Sequence, residues 1–192
     1  MKILKILPLL LALLIIPCTS FAEMPEITAG QTYFDVFKGH YVLKDNVRVV
    51  MNNHGFKATV TANEARVNVV AQKCWAMGAV NFSHVDYDLK CDDAYLHWND
   101  KTAELVGKID FTGKKGVNIT SDTATFNWEE KNADFYGNVK VVAEKNLKFA
   151  KNLKLEKGVT YAHVRYSVTE NKIVQLDKTF NIPKIEIPDP DK

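Results

Sequence analysis

The chain reads as an all-β protein built from about five stacked copies of a unit of roughly thirty residues. Three observations predict this. A polarity template recurs along the chain, a second element follows each copy at a constant distance, and apolar residues alternate with polar ones inside the copies.

The template is clearest at Ile119-Thr120-Ser121-Asp122-Thr123-Ala124-Thr125-Phe126-Asn127. Ile27 to Asp35, Val60 to Asn68 and Leu89 to His97 repeat it, and Val159 to Ser167 repeats it less closely. The second element is Asp45-Asn46-Val47, then Gly78-Ala79-Val80, Gly107-Lys108-Ile109 and Gly137-Asn138-Val139, with Asp177 as a degenerate last case. Thr32 to Asp45, Ala65 to Gly78, Ala94 to Gly107, Ala124 to Gly137 and Val164 to Asp177 are each thirteen residues apart. Unit starts step by 33, 29, 30 and 40 residues, and the extra length lies between Val142 and Gly158. Leu147 to Leu155 also fits the template, so two starts for the fifth unit stay open.

Period two, as in Ile109-Asp110-Phe111-Thr112, marks half-buried strands. The alternation loses phase near Asn63-Glu64, Asp92-Asp93 and Asp122-Thr123, where a bend or bulge keeps apolar side chains inward while the strand turns a corner. Gly107 and Gly137 permit such bends, and Asn99-Asp100, Gly113 to Gly116 and Glu130 to Asn132 supply hairpin turns. Beyond the first residues no apolar run keeps a 3.6 period, so no helix is predicted there.

Stacking places equivalent positions of successive units side by side. Val67, Leu96, Phe126 and Tyr166 then form one inward ladder, Val69, Trp98, Trp128 and Val168 the next, and Ala62, Cys91 and Ser121 a narrow column. The same register aligns Cys74 with Ala103 and Ala133.

The ends differ from this body. Residues 1–22 have the grammar of a secretory signal peptide: Lys2 and Lys5, an apolar run from Ile6 to Pro17, and small Ser20 and Ala22 before the cut. The alternative is a retained anchor, for which a run of about a dozen residues is short. Pro17 before Cys18 argues against lipid attachment at that cysteine. Residues 23–179 form the repeat domain, and 180–192, with Pro183, Pro188 and Pro190, form an extended tail that is not a central strand. That tail is expected to be mostly mobile, with its isoleucines available to dock on a surface.

Of 25 Lys and Arg residues the leader removes two, leaving 23 against 23 acidic residues. A formally neutral chain lacks the concentrated positive field that nucleic acid binding needs. Cys74 and Cys91 reach a disulfide-permissive compartment, which leaves a bridge and two free thiols both open. His40, His54, His84, His97 and His163 show no metal-ligand spacing and read as surface residues. No nucleophile elbow, phosphate loop or zinc motif occurs, so the chain is read as no enzyme, with no cofactor and no metal. What remains is the apolar inward face, which is either closed core or, if its two sides splay, a groove for an apolar ligand.

The repeated Ile119-Thr120-Ser121-Asp122-Thr123-Ala124, followed after thirteen residues by Gly137-Asn138-Val139, resembles the OstA-like (LptA) family of lipopolysaccharide-transport proteins over about Ile27 to Asp177. Gly30, Asn63 and Ala162 stand where that family usually has Asp. The resemblance implies a bent β-jellyroll in the periplasm whose interior accepts the acyl chains of lipopolysaccharide. It also implies head-to-tail association with further copies and with OstA-like domains at the inner and outer membranes. Under it the groove lining is Val67, Val69, Leu96, Trp98, Ile109, Phe111, Phe126, Trp128, Val139 and Val141. A membrane-anchored LptC-like partner of the same pathway, or a structural solenoid without ligand, are the alternatives. The free edges for association would be the segments near Ile27 to Phe34 and Val164 to Leu176.

Overall fold

The computed structural model describes residues 26–53, 56–113, 116–143 and 147–191. The signal-peptide reading of 1–22 and His54 lie outside those residues. Among the described residues twelve strands form one sheet. They are β1 (Glu26–Thr28), β2 (Gln31–Asp35), β3 (His40–Asn53), β4 (Phe56–Asn68), β5 (Lys73–His84), β6 (Tyr87–His97), β7 (Thr102–Gly113), β8 (Val117–Asn127), β9 (Asn132–Ala143), β10 (Lys148–Phe149), β11 (Tyr161–Ser167) and β12 (Lys172–Asp177). The order is β1-β3-β4-β5-β6-β7-β8-β9-β11-β12-β10, with β2 beside β1 on β3. Among the described residues there is no α-helix.

Each long strand bends near its middle. Thr120 pairs with Lys140 and Thr123 with Tyr136, so three steps on β8 face four on β9. The extra residue makes a bulge, and equivalent register shifts fall between Lys44 and Val47, Met77 and Val80, and Val106 and Ile109. These are the thirteen-residue markers. Two consecutive residues are left-handed at each one: Asp45-Asn46, Gly78-Ala79, Gly107-Lys108 and Gly137-Asn138. The phase breaks on β4, β6 and β8 are the other half of the same corners. The bends divide the sheet into two facing arms, with apolar side chains between them.

An acidic or amide side chain sits over each corner glycine. A Cβ on Gly137, whose φ is +71°, would lie 2.5 Å from Asp122 Oδ2; on Gly78 it would lie 2.6 Å from Asn63 Nδ2. In the first unit the two partners are exchanged. Asp45 takes the left-handed conformation at φ 64°, and a Cβ on the facing Gly30 would lie 2.8 Å from Asp45 Cβ. The departure at Gly30 therefore preserves the packing: one strand supplies the carboxylate and the other the bare backbone, in either order.

The hairpin turns stack as well. Trp98 N donates to Gln72 O at 3.1 Å, Trp128 N to Lys101 O at 3.1 Å and Val168 N to Lys131 O at 3.0 Å. Asn68 and Asn127 accept turn amides at 2.8 to 3.0 Å. The ladder of Val69, Trp98, Trp128 and Val168 is thus the row of first turn residues.

The ambiguity of the fifth unit resolves in favour of Val159 to Ser167, because β11 pairs directly with β9. The insertion contributes β10, which pairs in parallel with β12. Its Leu147, Phe149, Leu153 and Leu155 pack against the core.

Candidate functional site

Register aligns the inward rows residue by residue. One row, on the first arm, runs Val49, Val60, Phe82, Leu89, Phe111, Ile119, Val141. A second, on the other arm, runs Tyr41, Val67, Cys74, Leu96, Ala103, Phe126, Ala133, Tyr166, Ile173. The inward ladder of Val67, Leu96, Phe126 and Tyr166 lies within that second row. The narrow column of Ala62, Cys91 and Ser121 is buried at the bend.

Burial changes along both rows. Val49, Val60, Phe82 and Leu89, and opposite them Tyr41, Val67, Cys74 and Leu96, are half-buried. Further on, Phe111, Ile119, Tyr166 and Ile173 are 0 to 3% exposed. The cause is contact between arms: the Phe111 ring lies 5.5 Å from Phe135 and 5.3 Å from Tyr166. The β10 insertion adds its apolar side chains to this end. At the other end Leu43, Val47 and Ala65 form a small separate buried cluster, while Ala62, Ala76, Val80, Cys91 and Ala94 of β4 to β6 belong to the large core. The space between the arms is a trough, accessible over β3 to β6 and most closed where Phe111 meets Phe135 and Tyr166, with Phe126 and Val141 still half-buried beyond that contact.

The predicted lining divides accordingly. Val67, Val69, Leu96, Trp98, Phe126, Trp128 and Val141 are half-buried, whereas Ile109, Phe111 and Val139 are 1, 3 and 0% exposed. Those three are closed core in this conformation. Sequence reasoning missed Val49, Val60 and Phe82, which carry the first row into the accessible part. Extending the ladder of Phe111 back two units would have found them.

Cys74 and Cys91 are free thiols. The register explains this: Cys74 pairs with Leu96, and Cys91 lies five residues further along that strand, roughly 15 Å away. A bridge needs Cα atoms within about 7 Å. Burial pushes both thiols up to about 12.

Two histidines depart from the surface reading. His40 is 6% exposed and His163 2%. His163 lies between two carboxylates, with Nε2 2.8 Å from Asp134 Oδ1 and Nδ1 2.7 Å from Asp177 Oδ2. Tyr136 and Phe180 stack on its ring. Burial alone would lower its pKa, but the two carboxylates outweigh it and the net shift is upward. Burial likewise pulls the Asp134 carboxyl upward, and hydrogen bonds from His163 and Arg165 reverse this, holding it below its ordinary value. The cluster is structural chemistry beneath the tail. Among the described residues no group of His, Cys, Asp and Glu could hold a metal ion.

Residues 180–191 form no strand, and the tail lies against the sheet. Ile185 and Ile187 are half-buried, and Trp75 Nε1 donates to the carbonyl of Pro188 at 2.8 Å.

No protein-family model matches the chain, and no curated protein matches it in sequence. Among solved structures the fold is similar to LptH of Pseudomonas aeruginosa, described as the LptA-homologous periplasmic component of the lipopolysaccharide transport device. The TM-score is 0.54 at 10% identity, and the match covers 62% of this chain and 94% of that one. This establishes the fold as an LptA-like bent β-jellyroll.

Proposed function

We propose that this protein is a periplasmic, non-enzymatic carrier that shields the acyl chains of lipopolysaccharide or a related lipid in the accessible part of the trough. The observation that carries the reading is the gradient of burial: apolar rows continue the full length of the sheet and are half-buried over β3 to β6, and toward the β7 to β12 end Phe111, Ile119, Tyr166 and Ile173 are closed over while Phe126 and Val141 stay half-buried. Half-exposed apolar rows are unfavourable in water, and each methylene of a guest buried there contributes ~0.8 kcal/mol. A dozen methylenes would contribute roughly 10 kcal/mol before ordering costs. The likeness to LptH supports the same lipid class.

End-to-end association with OstA-like domains at the two membranes fits the sheet edges. Among the described residues β1 and β2 pair only with β3, and Tyr33, Phe34, Val36 and Phe37 beside them are exposed. At the other edge, among the described residues, β10 pairs only with Lys172 and Ile173 of β12. Open strand edges accept further strands. The edge near Val164 is not free, since β11 lies between β9 and β12.

Photo-crosslinking side chains placed singly at Phe82, Leu96 and Phe126 in living cells test the carrier reading. Lipid adducts are expected from all three and not from outward Thr112. Equal yields at all four positions, or none, would reject it. Trp128→Asp should abolish lipid capture while export continues. A ligand-free solenoid instead predicts native mass spectra without bound lipid.

A further inference from the structure

The outer face, opposite the trough, holds contacts that lipid binding does not use. At the root of the tail, Phe180 stacks on His163 with ring centroids 4.2 Å apart. At its tip, Lys38 Nζ donates to Asp191 Oδ1 at 2.6 Å and to its backbone oxygen at 2.8 Å, and Arg66 binds the same carboxylate. Among the described residues, 181–187 form no hydrogen bond to the sheet. The tail is therefore held at two ends with a largely exposed middle.

Under the tip lies an open cleft of about 470 Å³, lined among others by Phe37, His40, Lys73, Trp75 and Tyr95. Two features mark it as a recognition site. Its charge is complementary to the tail: Lys38, Arg66 and Lys73 face Asp189 and Asp191. And His40, 6% exposed, has a buried Nδ1 with no hydrogen-bond partner. An indole donating to a proline carbonyl, with basic side chains taking the flanking carboxylate, is how an aromatic groove reads an extended proline-containing segment.

We propose that this groove is a docking site for the acidic C-terminal segment of a second copy of the chain, which displaces the resident tail and gives tail-exchanged dimers. Exchange keeps every contact and creates none, so it carries little energetic cost. The balance is set by the protein concentration against the local concentration of the tethered tail, which for a short tether is about 1 mM. The inference is independent of the lipid reading, and its failure leaves the trough untouched.

The test uses the full chain in a Cys18→Ser, Cys74→Ser background, where the remaining Cys91 is buried. Ala71 and Pro190 both line the cleft. Chains carrying Ala71→Cys and chains carrying Pro190→Cys are mixed and treated with a short bis-maleimide. A covalent heterodimer is expected, with a yield that rises between about 10 µM and about 1 mM. Lys38→Glu on the Ala71→Cys partner should lower that yield at least fivefold, and a peptide of residues 180–192 should suppress it. Two results would overturn the proposal. One is a yield no greater than with exposed Glu170→Cys in place of Pro190→Cys. The other is equal suppression by a scrambled peptide of the same composition, which would mean the groove reads charge alone.

Discussion

Exchanging the two partners of a corner tests the packing rule at the bends. Gly137→Asp alone puts a side chain on a backbone with φ +71° and drives its Cβ to 2.5 Å from Asp122 Oδ2. Left-handed backbone costs a non-glycine residue about 1–2 kcal/mol, and overpacking against a neighbour costs about 1–3 kcal/mol more. A loss of about 3 kcal/mol follows, or a fall in Tm of roughly 9 °C for a domain of this size. Asp122→Gly alone gives up the hydrogen bond to Asn138 Nδ2 at 2.7 Å and stiffness in the strand, about 1 kcal/mol. The double variant recreates the arrangement of Gly30 and Asp45, so its steric penalty vanishes. Urea unfolding of all four chains should give a coupling of about 2 kcal/mol in favour of the pair. Strictly additive losses would refute the idea that the corners need one carboxylate and one bare backbone in either order.

Other outcomes follow from the same structure. Phe111→Ala, at the contact between arms, should cost about 3–5 kcal/mol, whereas Phe82→Ala in the accessible trough should cost about 1 kcal/mol; similar losses by chemical denaturation would contradict the gradient. The pKa of His163 is raised, so its contribution to stability is fully present below about pH 6.5 and is lost as pH rises through the folded value. Asp134, held low, contributes above about pH 3.8, and its part is lost as pH falls through its lowered value. His163→Gln should therefore flatten the alkaline limb of urea midpoints taken across neutral pH, and an unchanged limb would count against the cluster. In a Cys74→Ser chain Cys91 should resist a thiol-reactive dye until the protein is unfolded, and rapid labelling of the native chain would show that its burial is wrong.

The corners were legible because a bulge leaves two marks in sequence, a change of phase on one strand and a left-handed pair on the next. Fifteen residues separate Asn63 from Gly78, Asp92 from Gly107 and Asp122 from Gly137, and this constant rung length is why the register of Phe126 or Trp128 could be read unit by unit. Burial was not legible in the same way. Ile109 and Val141 obey one alternation, yet the first is sealed and the second half-exposed. What separates them is how closely the arms approach, and that depends on Phe111 meeting Tyr166 and on the insertion at 147–155. His40 and His163 were misjudged for a related reason. Nothing local to them announces that a segment from the far end of the chain, beginning at Phe180, will cover their face.

The tail also works as a gauge of length. Six strand spacings separate β4 from β11, about 29 Å at roughly 4.8 Å each, while the steps from Phe180 to Asp191 reach about 36 Å when fully drawn out. One more rung would add two strands and about 10 Å, placing Lys38 and Arg66 beyond reach of the Asp191 side-chain carboxylate. A repeat protein can otherwise grow by whole units at little cost. Here the number of units and the number of residues after the last strand are coupled, so any lengthening of the stack has to be matched by roughly three residues at the C-terminus.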